Sequence, residues 1–524
     1  MRRLTTEIVV VGGGATGCGI VRDCAMRGFK AVLLERGDIA QGTSGRFHGA
    51  VHSGGRYVVA DPGSAAECVQ ENSIITRVHA DAVETTGGFF ISVQGDDPEF
   101  PDRFVAGAKI AGMPCQEISL SQALRLEPRI NPRTERVMSV QDATVDVWKL
   151  CWGAVRSAQA YGAQVLTYTV LSGVEVVDGR VRAVRGRDRR SGEDIVIDCD
   201  FLINAAGPWA GQVARLAGVD DVDVVPGRGV MVAMGHRLVN RMVNHLVKPA
   251  DGDIVIPVHT TCVIGTTDTK VDQPDDLAIP RAEVQKMLDC AELLVPGFRQ
   301  ARAMHAWAGA RPLIKDARVS ESDTRHMSRG MSVMDHENRD GVAGFMTIGG
   351  GKLTTYRLMA RNVVDAVCSK LGQERECRTD QEAVPGSESG RTYLLTDRLQ
   401  AGQRDLREDL TLCECEQVSR QTLVGLLERT PDASLDDLRR QTRLGMGLCQ
   451  GGFCSWRAAG AACQSGAMSP ERAVAALKRF LSNRWIGLWP VLYGDQLKQT
   501  ALNQWVMTGT LDLDHLPESS QKVL

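Results

Sequence analysis

Glu7 to Val11 is a β-branched apolar run, and it reads as a strand. Gly12-Gly13-Gly14-Ala15-Thr16-Gly17 follows at once, then a helix-compatible stretch to Gly28, then a second apolar run, Ala31 to Leu34, ending in Glu35. A polar, Gly- and His-rich stretch, Gly42 to Tyr57, has no helical or strand period and reads as a loop. Helical spacing returns over Ser64–His79, through Ala65, Cys68, Val69, Asn72, Ile75 and Val78. A strand is predicted over Phe89–Val93, short helices over Arg103–Gly112 and Ser121–Glu127, and a helix over Trp148–Tyr161, stopped by Gly162.

Between Gln164 and Cys199 the period becomes that of short alternating strands, with Asp178-Gly179 as a hairpin turn. Phe201-Leu202-Ile203 is a buried strand running into Asn204–Ala210, whose small residues either admit a cofactor or only turn the chain into a helix. Residues 224 to 268 are β-rich, Arg281–Val295 is an amphipathic helix, and Trp307–Leu313 is a strand carrying Arg311. A further strand, glycine turn and helix run from Gly341 through Gly349-Gly350-Gly351 to about Lys370. Residues 372 to 410 are polar and broken by Pro385, Gly386 and Gly390, which predicts a linker with little fixed structure. A small cysteine-bearing unit follows over 411–465. The tail, 466–524, holds an amphipathic helix and then Trp485, Trp489 and Tyr493, which pack on the core or on a partner, core packing being the plainer reading.

Composition narrows the class. The 524 residues allow two or three domains, and a net charge of −3 gives no reason to expect a nucleic-acid partner. No apolar run approaches the roughly 18–20 residues of a membrane span, and Met1-Arg2-Arg3-Leu4 passes straight into the first strand without room for a signal peptide. A cytoplasmic setting is expected, so the 15 cysteines are not a disulfide framework. Cys18, Cys24, Cys68, Cys115 and Cys290 are scattered singly and read as small buried hydrophobes.

The opening strand, turn, helix, strand and acid have a specific chemistry. Gly12 permits the tight turn, Gly14 lets the backbone approach a pyrophosphate, and Gly17 lets helix and strand pack closely. The helix N-terminus offers N–H groups and a positive dipole end to phosphates. Glu35 stands where a carboxylate accepts from a ribose hydroxyl pair, which favours FAD or NAD over NADP. Near the other end, Cys413-Glu414-Cys415 and Cys449-Gln450-Gly451-Gly452-Phe453-Cys454 place thiols two by two. That pattern suits an iron–sulfur cluster or a structural zinc, although Cys-x-Cys is an unusual zinc spacing. Gly445, Gly447, Gly451 and Gly452 suit N–H groups aimed at sulfide.

His52-Ser53-Gly54-Gly55-Arg56-Tyr57, Gly309-Ala310-Arg311-Pro312-Leu313 and Gly350-Gly351-Lys352-Leu353-Thr354-Thr355-Tyr356-Arg357 resemble FAD-dependent glycerol-3-phosphate dehydrogenases. Gly265–Asp268 follows the same pattern. With the cysteines, the chain is similar to the A subunits of the anaerobic members. The cysteine block, with Leu444 to Gly451, resembles a bacterioferritin-associated-ferredoxin-like 2Fe-2S domain.

The resemblance implies an α/β chain with a glutathione-reductase-like, Rossmann-type FAD domain built from 1–80, 145–215 and 335–371. A mixed-sheet substrate domain would span 81–144 and 216–334. FAD would lie against Gly12, Gly14, Gly17, Glu35, Thr43, Ser44, Gly45, Gly207, Gly350, Lys352, Leu353 and Thr354. Arg56, Arg311 and Lys352 would grip the substrate, with Tyr57 and Thr267 beside them. His52 or Arg311 is the candidate to meet the reacting alcohol, and Cys413, Cys415, Cys449 and Cys454 would hold the cluster. The implied reaction oxidises sn-glycerol 3-phosphate to dihydroxyacetone phosphate. The implied electron acceptors are a partner flavoprotein subunit, a membrane-anchored iron–sulfur protein and a quinone, with the chain peripheral to the inner face of the cell membrane. One departure stands out: Gly227-Arg228-Gly229 replaces the Gly-Ser-His of aerobic members. Two other readings stay open: a related FAD-dependent 2-hydroxy-acid or amine dehydrogenase, and a non-catalytic flavin and iron–sulfur electron-transfer module.

Overall fold

A computed structural model describes residues 1–314, 330–394, 396–397, 399–400 and 409–515. Its organising layer is a six-stranded sheet in the order Gln164–Leu166, Ala31–Leu34, Ile8–Val11, Phe201–Asn204, Phe345–Gly350, Met331–Asp335. The first five strands run parallel and the last antiparallel. Parallel strands covered on both faces need continuous apolar sequence. Ile8, Val9 and Val10 meet that need, each wholly buried and each contributing about 1.5–3 kcal/mol of burial. The helix Ala15–Met26 lies on this sheet between the helices Val147–Ala160 and Tyr356–Lys370.

A nine-stranded mixed sheet forms the second large layer. Its centre is the long strand Val224–Met234, which pairs with Thr261–Gly265, Thr269–Lys270 and Ala303–Ile314. The helix Arg281–Leu294 covers it through Val284, Met287, Leu288, Ala291 and Leu294, the stripe that the spacing predicts. A four-stranded sheet holds the predicted hairpin, Thr169–Val177 and Arg180–Asp188, beside Asp194–Asp198.

Several elements differ from expectation. Arg2–Thr5 is a strand of its own, fixed to Asp194–Asp198 by parallel pairing and by Arg3, which donates to Asp198 at 2.7 and 2.8 Å. Cys115–Ile118, Thr134–Val140 and Met331–Asp335 are strands whose partly exposed faces leave little apolar period to read. The stretch from 372 to 394 has no helix or strand, yet it is a fixed strap. Val384, Thr379 and Ser387 are buried, the carbonyl of Thr379 accepts from the buried Arg22 at 3.2 Å, and Tyr393 N donates to Val83 O at 2.7 Å. The part of the predicted linker at 401–408, and the tail beyond 515, lie outside the described residues.

The C-terminal unit packs the helices Arg420–Arg429, Leu435–Thr442, Cys454–Gln464 and Pro470–Leu488 around Leu423, Leu438, Leu444, Leu477 and Phe480. Ser434 and Asp437 close a capping box on the second helix. Tyr493 packs against the core of the nine-stranded sheet, whereas Trp485 and Trp489 stand on the surface, against the core packing expected of them.

Candidate active site

A cavity of about 780 Å³ opens between the two large sheets, within the range of small-molecule sites. Gly12, Gly14, Glu35, Thr43, Ser44 and Gly207 line it, and so do His52, Arg56, Tyr57, Arg311 and Lys352. The dinucleotide fingerprint and the distant cationic loops therefore open into one space.

The fingerprint has the predicted geometry. Gly12 adopts φ +110°, a conformation that glycine alone takes without strain. A Cβ on Gly17 would stand 1.8 Å from Gly12 O, so only glycine lets helix and strand approach this closely. Glu35 accepts from Gly13 N at 2.6 Å and Gly37 N at 2.8 Å. Burial raises its pKa, and these donors oppose the shift. Ser44 accepts from Ala15 N at 2.9 Å, so the loop after the second strand is tied to the helix N-terminus. Arg36 stacks over Trp209 at 4.1 Å in the same wall.

The three expected substrate cations each have a carboxylate near them. Arg56 donates to Asp253 at 2.6 Å. Burial works against its charge, and Asp253 outweighs burial and raises its pKa. Arg311 donates to Asp268 at 2.6 Å and to Thr267 O at 2.8 Å, and it also reaches Thr266 Oγ1. Lys352 differs: its buried Nζ has no hydrogen-bond partner, and its nearest acid, Glu67, is 3.8 Å away. His52 is 8% exposed, its backbone N donates to Thr354 Oγ1, and its ring meets Tyr57 edge-on. Gly350 and Gly351 have φ of +71° and +73°, which turn the chain so that Lys352, Leu353 and Thr354 face the cavity.

The FAD dependent oxidoreductase family matches residues 7–364. The A subunit of the anaerobic glycerol-3-phosphate dehydrogenase of Escherichia coli is 38% identical over 97% of both chains. Its counterpart in Haemophilus influenzae is 34% identical over 99% of this chain and 96% of its own. The chain belongs to the FAD-dependent oxidoreductase family, in the group of these A subunits. Among solved structures, a glycerol-3-phosphate dehydrogenase from Bacillus halodurans complexed with FAD shares the fold. Its TM-score is 0.64 at 20% identity, over 92% of this chain and 95% of its own. The family's FAD-binding α/β fold with mixed sheets is thus present here, and the cavity holds the cradle that the cofactor needs.

Three expected residues of the site do not line this cavity: Gly17, which serves the helix–strand contact, Thr267 and Gly45. Thr267 is 2% exposed, and its hydroxyl accepts from Val230 N at 2.9 Å and donates to Glu283 at 2.5 Å. Thr266 lines the cavity in its place. Gly45 faces away from this cavity: a Cβ there would stand 2.1 Å from Ala40 O, so the glycine serves loop packing. Arg228, at the departure from the aerobic pattern, is buried against Glu283. Beside it a Cβ on Gly229 would stand 2.6 Å from Arg311 Nη2, so the guanidinium fills the space above that glycine. Sequence reasoning missed Asp253 and Glu67, which no motif marks, and Thr266, the immediate neighbour of the expected Thr267.

The relatives run past residue 364 and through the cysteines. Here Cys413 meets Cys454, Cys454 meets Cys449, and Cys449 meets Cys415. Within this set Cys413 and Cys449 are shifted below the ordinary thiol value, first by neighbouring thiols and then by backbone N–H groups, while the same thiol contacts push Cys415 and Cys454 above it. Those donors are Gly445 and Glu416 at Cys413, and Phe453 and Gly451 at Cys449. Gly445 and Gly451 have φ of +76° and +94°. A Cβ on Gly447 would stand 2.1 Å from that of Cys415. Among the described residues, no three His, Cys, Asp or Glu side chains are set to hold a single metal ion.

Proposed function

We propose that this chain oxidises sn-glycerol 3-phosphate to dihydroxyacetone phosphate with FAD as the hydride acceptor. The observation that carries the reading is the one cavity that joins the Gly12–Glu35 fingerprint to Arg56, Arg311 and Lys352. A buried ammonium with no hydrogen bond and only a carboxylate at 3.8 Å is incompletely compensated, and the substrate phosphate supplies the acceptor to Lys352 Nζ. Arg56 and the Tyr57 hydroxyl add donors to the same group. Arg311 orders the turn 266–268 and polarises the alcohol end. With Arg311 donating to Asp268, Thr266 and Thr267, His52 is the group that takes the hydroxyl proton. FAD, which Gly12, Gly14, Glu35, Ser44 and the 350–354 turn would hold, would supply the hydride acceptor for the carbinol carbon.

The four cysteines hold a 2Fe-2S cluster in this reading. Support comes from the string of thiols, with N–H groups turned toward the sulfurs by glycines of positive φ. Such a cluster would supply one-electron transfer toward a partner flavoprotein and a membrane-anchored iron–sulfur protein, and so to a quinone. The relatives are themselves named as subunits of a larger enzyme, which supports the existence of such partners. The chain acts in the cytoplasm at the inner face of the membrane, attached through its partners; no described helix is long and apolar enough to cross a bilayer. Turnover with a soluble electron-accepting dye tests the substrate. sn-Glycerol 3-phosphate should yield dihydroxyacetone phosphate while glycerol, lactate and glycine yield nothing, and oxidation of lactate or glycine in preference would overturn the reading.

A further inference from the structure

Arg484 is a guanidinium deep in the C-terminal unit, 7% exposed, on the helix Pro470–Leu488. Its Nη2 donates to Gln450 Oε1, its Nη1 reaches His305 Nε2 at 3.5 Å, and its Nε has no partner. Among the described residues no carboxylate lies within 4 Å of it. Asp436 is the acid of this region, and it is engaged by Arg439 at 3.2 Å and Asn483 at 2.6 Å. His305 does not compensate the charge, because burial and then Arg484 itself hold its pKa well below the ordinary value.

What Arg484 does reach is the cysteine loop. Gln450 follows Cys449 in sequence, is 3% exposed, and has φ +53°. Its Nε2 donates to Gly447 O at 2.9 Å and Met446 O at 3.2 Å, so its amide is locked between that loop and the guanidinium. An unpaired buried cation is expensive and is tolerated where a negative charge offsets it. Burial, and then Arg439, push the Arg484 pKa down to about 9, while Asp436, Cys454 and Cys449 act in the opposite direction.

We infer that Arg484 is a positioning residue for electron transfer, whose unpaired charge raises the reduction potential of the centre held by Cys413, Cys415, Cys449 and Cys454. This rests on the 2Fe-2S reading of those cysteines. One electron from the reduced flavin adds one negative charge to the centre. A fixed cation in a low-dielectric surround favours the more negative state, and charge and hydrogen bonding near the sulfurs set such potentials. Asp436 acts with the opposite sign.

The test is a redox titration of the full-length protein, followed by electron paramagnetic resonance, with iron and acid-labile sulfide measured on each sample. Arg484→Gln should keep the iron and sulfide of the wild type and lose at least tenfold in the reduction equilibrium, a fall of about 59 mV for one electron. Arg484→Lys should retain most of the wild-type potential. Asp436→Asn, which keeps the side-chain shape, should raise it, and this carries the test if Arg484→Gln does not load. Loaded variants whose potentials equal that of the wild type overturn the role of Arg484 alone. A wild type without iron and sulfide overturns the cluster reading, and this inference with it.

Discussion

Lys352 Nζ stands 4.9 Å over the centre of the Tyr57 ring, buried, with no hydrogen-bond partner. Two motifs nearly 300 residues apart thus place a cation on an aromatic face inside one cavity. Hydrogen bonds to charged groups are worth about 1.5–3 kcal/mol. Lys352→Met should therefore raise KM for glycerol 3-phosphate by roughly 10- to 150-fold and leave bound flavin in place. Steady-state kinetics with the flavin-to-protein ratio check this, and an unchanged KM would remove Lys352 from the phosphate site.

Arg311 and Asp268 form a pair whose side chains are 19% and 3% exposed. Arg311→Ala leaves a buried carboxylate uncompensated, at a cost of about 3–5 kcal/mol. Turnover should vanish while the protein stays yellow. The double variant Arg311→Ala, Asp268→Asn should regain thermal stability and remain inactive. Restored activity would show that Arg311 only neutralises Asp268.

Gly17→Ala places a methyl where only 1.8 Å separates it from Gly12 O. The turn that receives the pyrophosphate must open, so the purified protein should carry little or no FAD. An absorption spectrum decides this. Full flavin occupancy would contradict the tight-turn account.

His79 Nε2 and the Tyr356 hydroxyl share a hydrogen bond of 2.6 Å inside the core between the flanking helices. Burial, and then the charge of Arg22, hold its pKa well below the ordinary histidine value. The unfolded chain protonates at about pH 6.5 and the folded chain does not follow. Stability is therefore complete above about pH 6.5 and falls as the pH drops below it, by up to about 1.4 kcal/mol per unit. Thermal unfolding at about pH 7.5 and about pH 5.5 should show a smaller drop for His79→Gln than for the wild type. Equal drops would exclude His79 as a source.

Cys413→Ser should leave flavin reduction by substrate intact and block transfer to the natural acceptor chains. Reduction of those chains at the wild-type rate would refute the relay.

The apolar runs that stood out most plainly became strands buried on both faces: Ile8–Val11, Ala31–Leu34 and Phe201–Asn204. Cys115–Ile118, with two exposed positions of four, left no period to read. The strap from 372 to 394 reads as a linker because its order comes from distant partners, Arg22 and Val83, and not from its own pattern. In the site, glycine-flanked cations were legible because close backbone approach restricts the sequence around them. Asp253 and Glu67 were not, since a carboxylate that pairs across 197 or more residues carries no local mark. Thr266 and Thr267 differ only in which face of the turn each side chain takes, which the sequence does not state.

Anaerobic single-turnover bleaching of the bound flavin tests the central claim most directly: a flavin held by Gly12–Glu35 is reduced by an alcohol phosphate held by Lys352 and Arg56. With sn-glycerol 3-phosphate the yellow band should disappear, more slowly when the carbinol carbon carries deuterium, and glycerol or lactate at the same concentration should leave it unchanged. Bleaching by lactate, with none by glycerol 3-phosphate, would contradict the account.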